Sequence, residues 1–269
     1  MIPLEDTFSD IIGKAIRGLK LPDAQVATSA GIEVSSLEAL RAGQWDPVAA
    51  AKVAPVLGLG VQALAGIGSG GWAPAAVAIE GLAQFNTPYE DMTVNAYLVW
   101  DPATGEAAAF DTGADASGLL NLAGEKKLRL TQIFLTHAHG DHIFDLDRLQ
   151  EKTGAKVFVS AREKFDGPES FESGAAFTIG GLKVETRLTW GHSLGGITFV
   201  VTGLAQPVAI VGDAIYAGSM GGGGVSYEAA LQTNREQILT LPAETIIAPG
   251  HGPLTTVAEQ RTANPFFAA

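Results

Sequence analysis

The sequence predicts an α/β domain preceded by a small all-helical unit. Three observations carry this. The chain has 269 residues, about twice a modal domain of ~100–150 residues, so one large domain with a small partner fits. From about residue 74 onward, β-rich runs alternate with helical patterns, whereas residues 1–65 hold only short helical segments. Hydrophobic residues make up 46% and charged residues 17%, which permits a sizeable core and argues against disorder.

In residues 1–65, Ser35 and Glu38 have capping-box spacing, with Gly43 as the stop. Asp46 and Pro47 read as an N-cap and first helical position, and Gly58 closes that helix. Pro55 should kink or shorten it, and Gly31 separates two earlier pieces. The Gly-rich stretch at 66–74 reads as a linker, and 75–269 as the larger domain. There, Thr93 to Val99 and Ala107 to Phe110 read as strands around the turn Asp101–Gly105, and Ile133–Leu135 as a buried strand. Asp141 to about Lys152 reads as one helix whose apolar face is Ile143, Phe144, Leu146 and Leu149, stopped by Gly154. Strands are expected at Lys156–Ser160, Leu182–Leu188, Ile197–Thr202, Val208–Val211 and Thr245–Ala248, and a helix from Tyr227 to about Leu239.

Composition removes several functions. Without cysteine there are no disulfides, thiolate nucleophiles or Cys-ligated metals. A net charge of −12 disfavours polyanionic partners. The N-terminus lacks the basic and apolar regions of a signal peptide, and no run reaches ~18 apolar residues. A cytoplasmic protein with a small-molecule substrate and no membrane partner is expected.

The five histidines carry the chemistry. His137, His139 and His142 cluster in Thr-His-Ala-His-Gly-Asp-His, His192 follows Gly191, and His251 lies in Pro-Gly-His-Gly-Pro. Each sits at or just after the end of an expected strand, and none occurs elsewhere. Neutral imidazole is the commonest metal ligand, and His-X-His on a turn can aim two rings at one point. Asp141 lies inside the cluster and Asp213 follows the Val208–Val211 strand; a carboxylate can bridge two cations, which a neutral imidazole cannot.

The segment Thr136–His142 resembles the His-X-His-X-Asp-His signature of the metallo-β-lactamase superfamily. Gly191-His192, Gly212-Asp213 and Pro249-Gly250-His251-Gly252-Pro253 follow in family order, and Asn95–Val99 and Phe110–Gly113 are also similar. The resemblance covers about residues 75–269. It implies an αββα sandwich with the site at one edge. It also implies that His137, His139 and His192 hold one cation, that Asp141, His142 and His251 hold a second, and that Asp213 bridges them. The oxygen and nitrogen ligands suit two divalent ions, zinc first, with iron or manganese also compatible. Within the family, the stretch Gly212–Gly221 and the C-terminal tail resemble glyoxalase-II-like hydrolases such as hydroxyacylglutathione hydrolase. That implies cleavage of a thioester or related activated ester by a metal-activated hydroxide, with Asp141 orienting the nucleophile.

Three departures bear on the substrate. Gly222 stands where related enzymes often carry a Lys or Arg, Trp190 replaces a Pro, and the helical C-terminal domain of full-length glyoxalase II has no counterpart. Tyr216 is a candidate oxyanion donor or a core aromatic. Asp111 either supports the site or caps a turn. Gly221–Gly224 is a mobile loop at the mouth or a tight turn.

Asp23 to Gly43 resembles the two central helices of phage-repressor-type helix-turn-helix domains. Residues 1–65 carry a net charge of −2, however, and Glu38 lies on the would-be recognition helix, so duplex binding should be weak. The unit is expected to pack on the larger domain, cover its site or make a homodimer contact. Alternatives to the binuclear hydrolase are a lactonase, a mononuclear iron oxygenase resembling persulfide dioxygenases with iron on His137, His192 and Asp213, and a DNA-binding regulator.

Overall fold

The computed structural model describes residues 2–268. Five helices come first: α1 (Phe8–Leu19), α2 (Asp23–Ala30), α3 (Val34–Arg41), α4 (Pro47–Val56) and α5 (Val61–Gly68). Thr7 and Asp10 form a reciprocal capping box on α1. The Asp46 carboxylate caps α4 with Pro47 in its first turn, and the helix ends one residue after Pro55. Two expectations need correction. Ser35 does not cap α3: Glu33 is its N-cap and makes no side-chain cap bond, so Ser35 lies inside the helix. The expected linker at 66–74 begins later, because α5 runs to Gly68.

Two six-stranded sheets follow. The first has order β1 (Leu82–Tyr89), β2 (Met92–Trp100), β3 (Glu106–Phe110), β4 (Arg129–Phe134), β5 (Lys156–Ser160), β6 (Glu169–Phe171). The second runs from β12 (Thr255–Thr256) through β11 (Ile246–Pro249), β10 (Val208–Gly212), β9 (Ile197–Thr202) and β8 (Leu182–Leu188) to β7 (Ala176–Ile179). Strand periodicity decides what each face buries. On β2, Tyr97 and Val99 enter the core between the sheets, while Leu98 and Trp100 face outward. The inter-sheet core centres on stacked Phe110 and Phe134, with Phe199 from the opposite sheet edge-on to Phe110.

Helices cover both outer faces. On the first sheet, Leu119 and Ala123 of α6 (Ser117–Glu125) and Leu146 and Leu149 of α8 (Leu146–Thr153) pack over Leu98, Ala109 and Ile133. On the second, Ile238 and Leu241 join Val257 of α10 (Val257–Ala263) over Ala209, Val211 and Ile247. This is the αββα sandwich.

The expected helix from Asp141 is broken into α7 (Gly140–Ile143) and α8, and Phe144 at the break is exposed against Tyr89 rather than buried. The expected 227–239 helix is α9 (Tyr227–Thr233) continued by a π-helical turn, Asn234–Ile238. Buried Asn234 sits at that junction and donates to the Ala214 carbonyl, a hydrogen bond the wider turn accommodates.

The helical unit shares a core with the sandwich. Ile12, Ile16, Val53 and Leu64 cluster with Met220, Ala230 and Phe266. The Gly60 amide donates to the Pro265 carbonyl, and Asp6 accepts from Ser219 and Lys14.

Candidate metal centre

The histidine-bearing turns leave β4, β8 and β11, and Asp213 follows β10, all at one edge of the sandwich. Close backbone approach is required there. A Cβ on Gly250 would lie 2.1 Å from Asp213 Oδ1, and one on Gly212, at φ 50°, would lie 2.4 Å from Thr136 Oγ1.

All seven sequence-predicted ligands converge on this edge. His139 Nδ1 lies 3.0 Å from both His137 Nε2 and His192 Nε2. His142 Nε2 and His251 Nε2 lie 3.4 and 3.3 Å from Asp141 Oδ2. Asp213 stands between the groups, with Oδ1 3.2 Å from His142 Nε2 and Oδ2 3.4 Å from both His192 Nε2 and His251 Nε2. Two ligand atoms ~2.0–2.1 Å from a tetrahedral cation lie ~3.3 Å apart, so these separations suit shared cations. His142 Nε2 and Asp213 Oδ1 are buried and have no hydrogen-bond partner. The two atoms face each other at 3.2 Å, a separation that a shared cation would span.

The outer contacts set the histidine tautomers. His142 Nδ1 donates to Asp111 Oδ2 at 2.8 Å, His192 Nδ1 to the Gly222 carbonyl at 2.9 Å, and His251 Nδ1 to the Thr93 carbonyl at 2.6 Å. Thr136 Oγ1 gives its proton to Asp111 at 2.8 Å and so accepts from His137 Nδ1 at 3.0 Å. Four rings thus commit Nδ1–H to protein oxygens and turn Nε2 inward, the atom that a cation would take from any proton it carries.

Charge in the site is strongly coupled. Burial pushes His137 and His192 below the usual imidazole range. Burial opposes protonation of His142 and His251 too, yet Asp213, with Asp111 beside His142 and Asp141 beside His251, raises them to about 10 and about 11. Burial would raise Asp213, but His142 and His251 hold it well below the carboxylate range. In the metal-free chain, protons on two imidazoles balance the carboxylates that cations would otherwise neutralise.

Asp111 proves to be a site residue. It occupies the left-handed region at φ 55°, and its carboxylate accepts from the Thr136 amide, the Thr136 hydroxyl and His142. Tyr216 is buried edge-on to His251, with ring centroids 5.6 Å apart. Burial, with Asp213 and Asp6 nearby, pushes its hydroxyl well above the usual phenol range, so it stays a donor. Sequence reasoning missed the clamp on the His251 loop: Asn95 donates to the Pro249 and Gly252 carbonyls, and Tyr97 to Pro249. The signals were a polar Asn in a largely apolar strand and the similarity of Asn95–Val99 to the superfamily, neither of which named a partner. It also missed Thr136 as the link between Asp111 and His137.

The family model of the metallo-β-lactamase superfamily matches residues 89–251. The chain belongs to this superfamily. A Bacillus subtilis (strain 168) member named "Probable metallo-hydrolase YqgX" is 30% identical over 204 residues, covering 67% of this chain and 95% of that protein. Hydroxyacylglutathione hydrolase GloC of Haemophilus influenzae is 28% identical over 198 residues, covering 64% of this chain and 92% of that one. Among solved structures, TTHA1623 in a di-iron-bound form superposes with a TM-score of 0.56 at 26% identity, over 68% of this chain and 99% of that one. The superfamily match lies within the sandwich, from the end of β1 to His251, and begins after the helical unit.

Proposed function

We propose that the protein is a binuclear metallohydrolase that cleaves a thioester or related activated ester, similar in chemistry to hydroxyacylglutathione hydrolase. The observation that carries this reading is the pair of ligand clusters, His137/His139/His192 and Asp141/His142/His251, with Asp213 between them and orphaned site atoms facing the gap. His137, His139 and His192 would hold one cation; Asp141, His142 and His251 the second; Asp213 both. A divalent pair, zinc first, supplies a water of lowered pKa and polarises the acyl carbonyl. Two clusters flanking Asp213 favour this over a one-iron oxygenase on His137, His192 and Asp213, which leaves His139 and His251 without a task.

The chain's own groups supply orientation and proton handling. Asp141 is partly exposed at the site and stays ionised: burial opposes this, but a hydrogen bond from His251 and the His142 charge lower its pKa. It can accept a proton from an attacking water. Tyr216 keeps its proton and would donate to the oxygen that gains charge. Asp111 and Thr136 fix His142 and His137.

The helical unit serves the enzyme rather than duplex DNA on this reading. Its core continues into the sandwich, and Arg41 of the would-be recognition helix is ion-paired with Asp23. We place the protein in the cytoplasm; among the described residues no helix is long and apolar enough to cross a membrane. Loading the metal-free chain with zinc and assaying a panel of thioesters tests the proposal. Zinc-dependent release of free thiol is expected, and its absence with every thioester would refute it.

A further inference from the structure

Beside His192 lies a cavity of about 360 Å³ whose walls come from two parts of the chain. One wall is the loop Gly222–Gly224; the other is α1, through Lys14, Arg17 and Gly18. We propose that α1 completes the substrate pocket and that Arg17 binds an anionic substituent, a carboxylate, of the substrate. The cleavage step rests on the hydrolase reading above.

First, the loop facing α1 carries no side chain, and it lines one cavity with His192 and the helix; a Cβ at Gly222 would meet no atom within 4 Å. Second, the helix is held in place at this wall. Lys14 Nζ donates to Asp6 and, at 2.9 Å, to the Met220 carbonyl, and lies 5.0 Å from the centroid of the Tyr216 ring. Lys14 is thereby spent on anchoring, its charge matched by Asp6.

Third, Arg17 lies three residues further along the same helix, on the same face. It is exposed at the cavity and has no ion-pair or hydrogen-bond partner for its guanidinium among the described residues. A planar guanidinium with free donors beside a pocket is suited to bidentate carboxylate recognition. On a chain of net charge −12, such a local cation also sets which substrates approach this mouth.

Three thioesters on the zinc-loaded full chain test this. S-acetyl-N-acetylcysteamine is the neutral reference. S-acetyl-N-acetylcysteine adds a carboxylate to the thiol half, and S-malonyl-N-acetylcysteamine adds one to the acyl half. At least one anionic probe should show a KM about fivefold or more below the reference, the scale of a partly exposed charged contact. Arg17→Gln should abolish that preference, bringing the KM values of the three thioesters to within about twofold of one another, and Arg17→Lys should retain part of it. Gly222→Lys, added to Arg17→Gln, should restore it from the opposite wall. Equal KM values for all three probes, or a preference that survives Arg17→Gln, would overturn the inference. If no probe is cleaved, the hydrolase reading fails separately, and calorimetric affinities of the same uncleaved thioesters report the Arg17 dependence instead.

Discussion

Asp111→Asn separates orientation of a ligand from ligation itself. The native carboxylate accepts three hydrogen bonds, from the Thr136 amide at 2.7 Å, the Thr136 hydroxyl at 2.8 Å and His142 Nδ1 at 2.8 Å. Asparagine tolerates the left-handed backbone at φ 55°, so the backbone need not move, whereas alanine there would add strain. The amide has one oxygen and one NH2. If the oxygen keeps the Thr136 amide, the NH2 group faces His142 Nδ1 and the Thr136 hydroxyl. His142 must then accept at Nδ1, which places its proton on Nε2, the atom aimed at Asp141 and Asp213. A charged buried hydrogen bond is worth about 1.5–3 kcal/mol, or about 10- to 150-fold in affinity, within the range for losing an outer partner of a metal-bound histidine. Chelator competition with zinc should therefore show the cation at Asp141/His142/His251 bound at least ~10-fold more weakly, with the His137/His139/His192 cation less affected. Wild-type affinity at both sites in a folded Asp111→Asn protein would refute the tautomer argument.

Three further outcomes are expected. Asp213→Ala should lose both cations and all hydrolysis, measured by elemental analysis after gel filtration, because one carboxylate faces both clusters. Tyr216→Phe should keep its metal and lose ~10²-fold or more in turnover; normal turnover would leave Tyr216 a packing residue against His251. In the metal-free chain His142 and His251 are raised to about 10 and about 11, so their protonation stabilises the fold fully below the ordinary imidazole pKa and is lost as pH rises through these values. Cation binding must displace those protons, so zinc affinity should climb between pH 6 and 9 with net proton release, read by calorimetry in buffers of different ionisation enthalpy.

The site was more legible in the sequence than the elements around it. Five histidines confined to strand-end turns, three of those turns carrying glycines next to a histidine, with Asp141 in the first and Asp213 at the end of a further strand, left little freedom in where they could meet, and the structure brings all seven together. Strands with a strong apolar period, such as β8 and β9, fall where the pattern puts them. What escaped was set by tertiary context. β1 and β7 are half-exposed edge strands with mixed polarity, so no apolar run marks them. Phe144 fits the helical period but sits where the chain breaks between α7 and α8, and its ring turns to Tyr89 instead of the core. Ser35 and Glu38 matched a capping spacing by chance, two residues past the true N-cap, Glu33. That the helical unit packs on the larger domain was expected, but which residues meet there was not legible: Lys14 and Arg17 line a cavity with the Gly222 loop across some two hundred residues of chain, and no local pattern reports that pairing.

The proposed chemistry stands or falls on two cations sharing Asp213. The direct measurement is a crystal structure of protein purified without added metal, with anomalous scattering recorded at the zinc and iron edges. Two peaks about 3.5–4 Å apart are expected, one within bonding distance of His137, His139 and His192, the other of Asp141, His142 and His251, with Asp213 touching both. A single iron peak on His137, His192 and Asp213, with His139 and His251 unliganded, would contradict it.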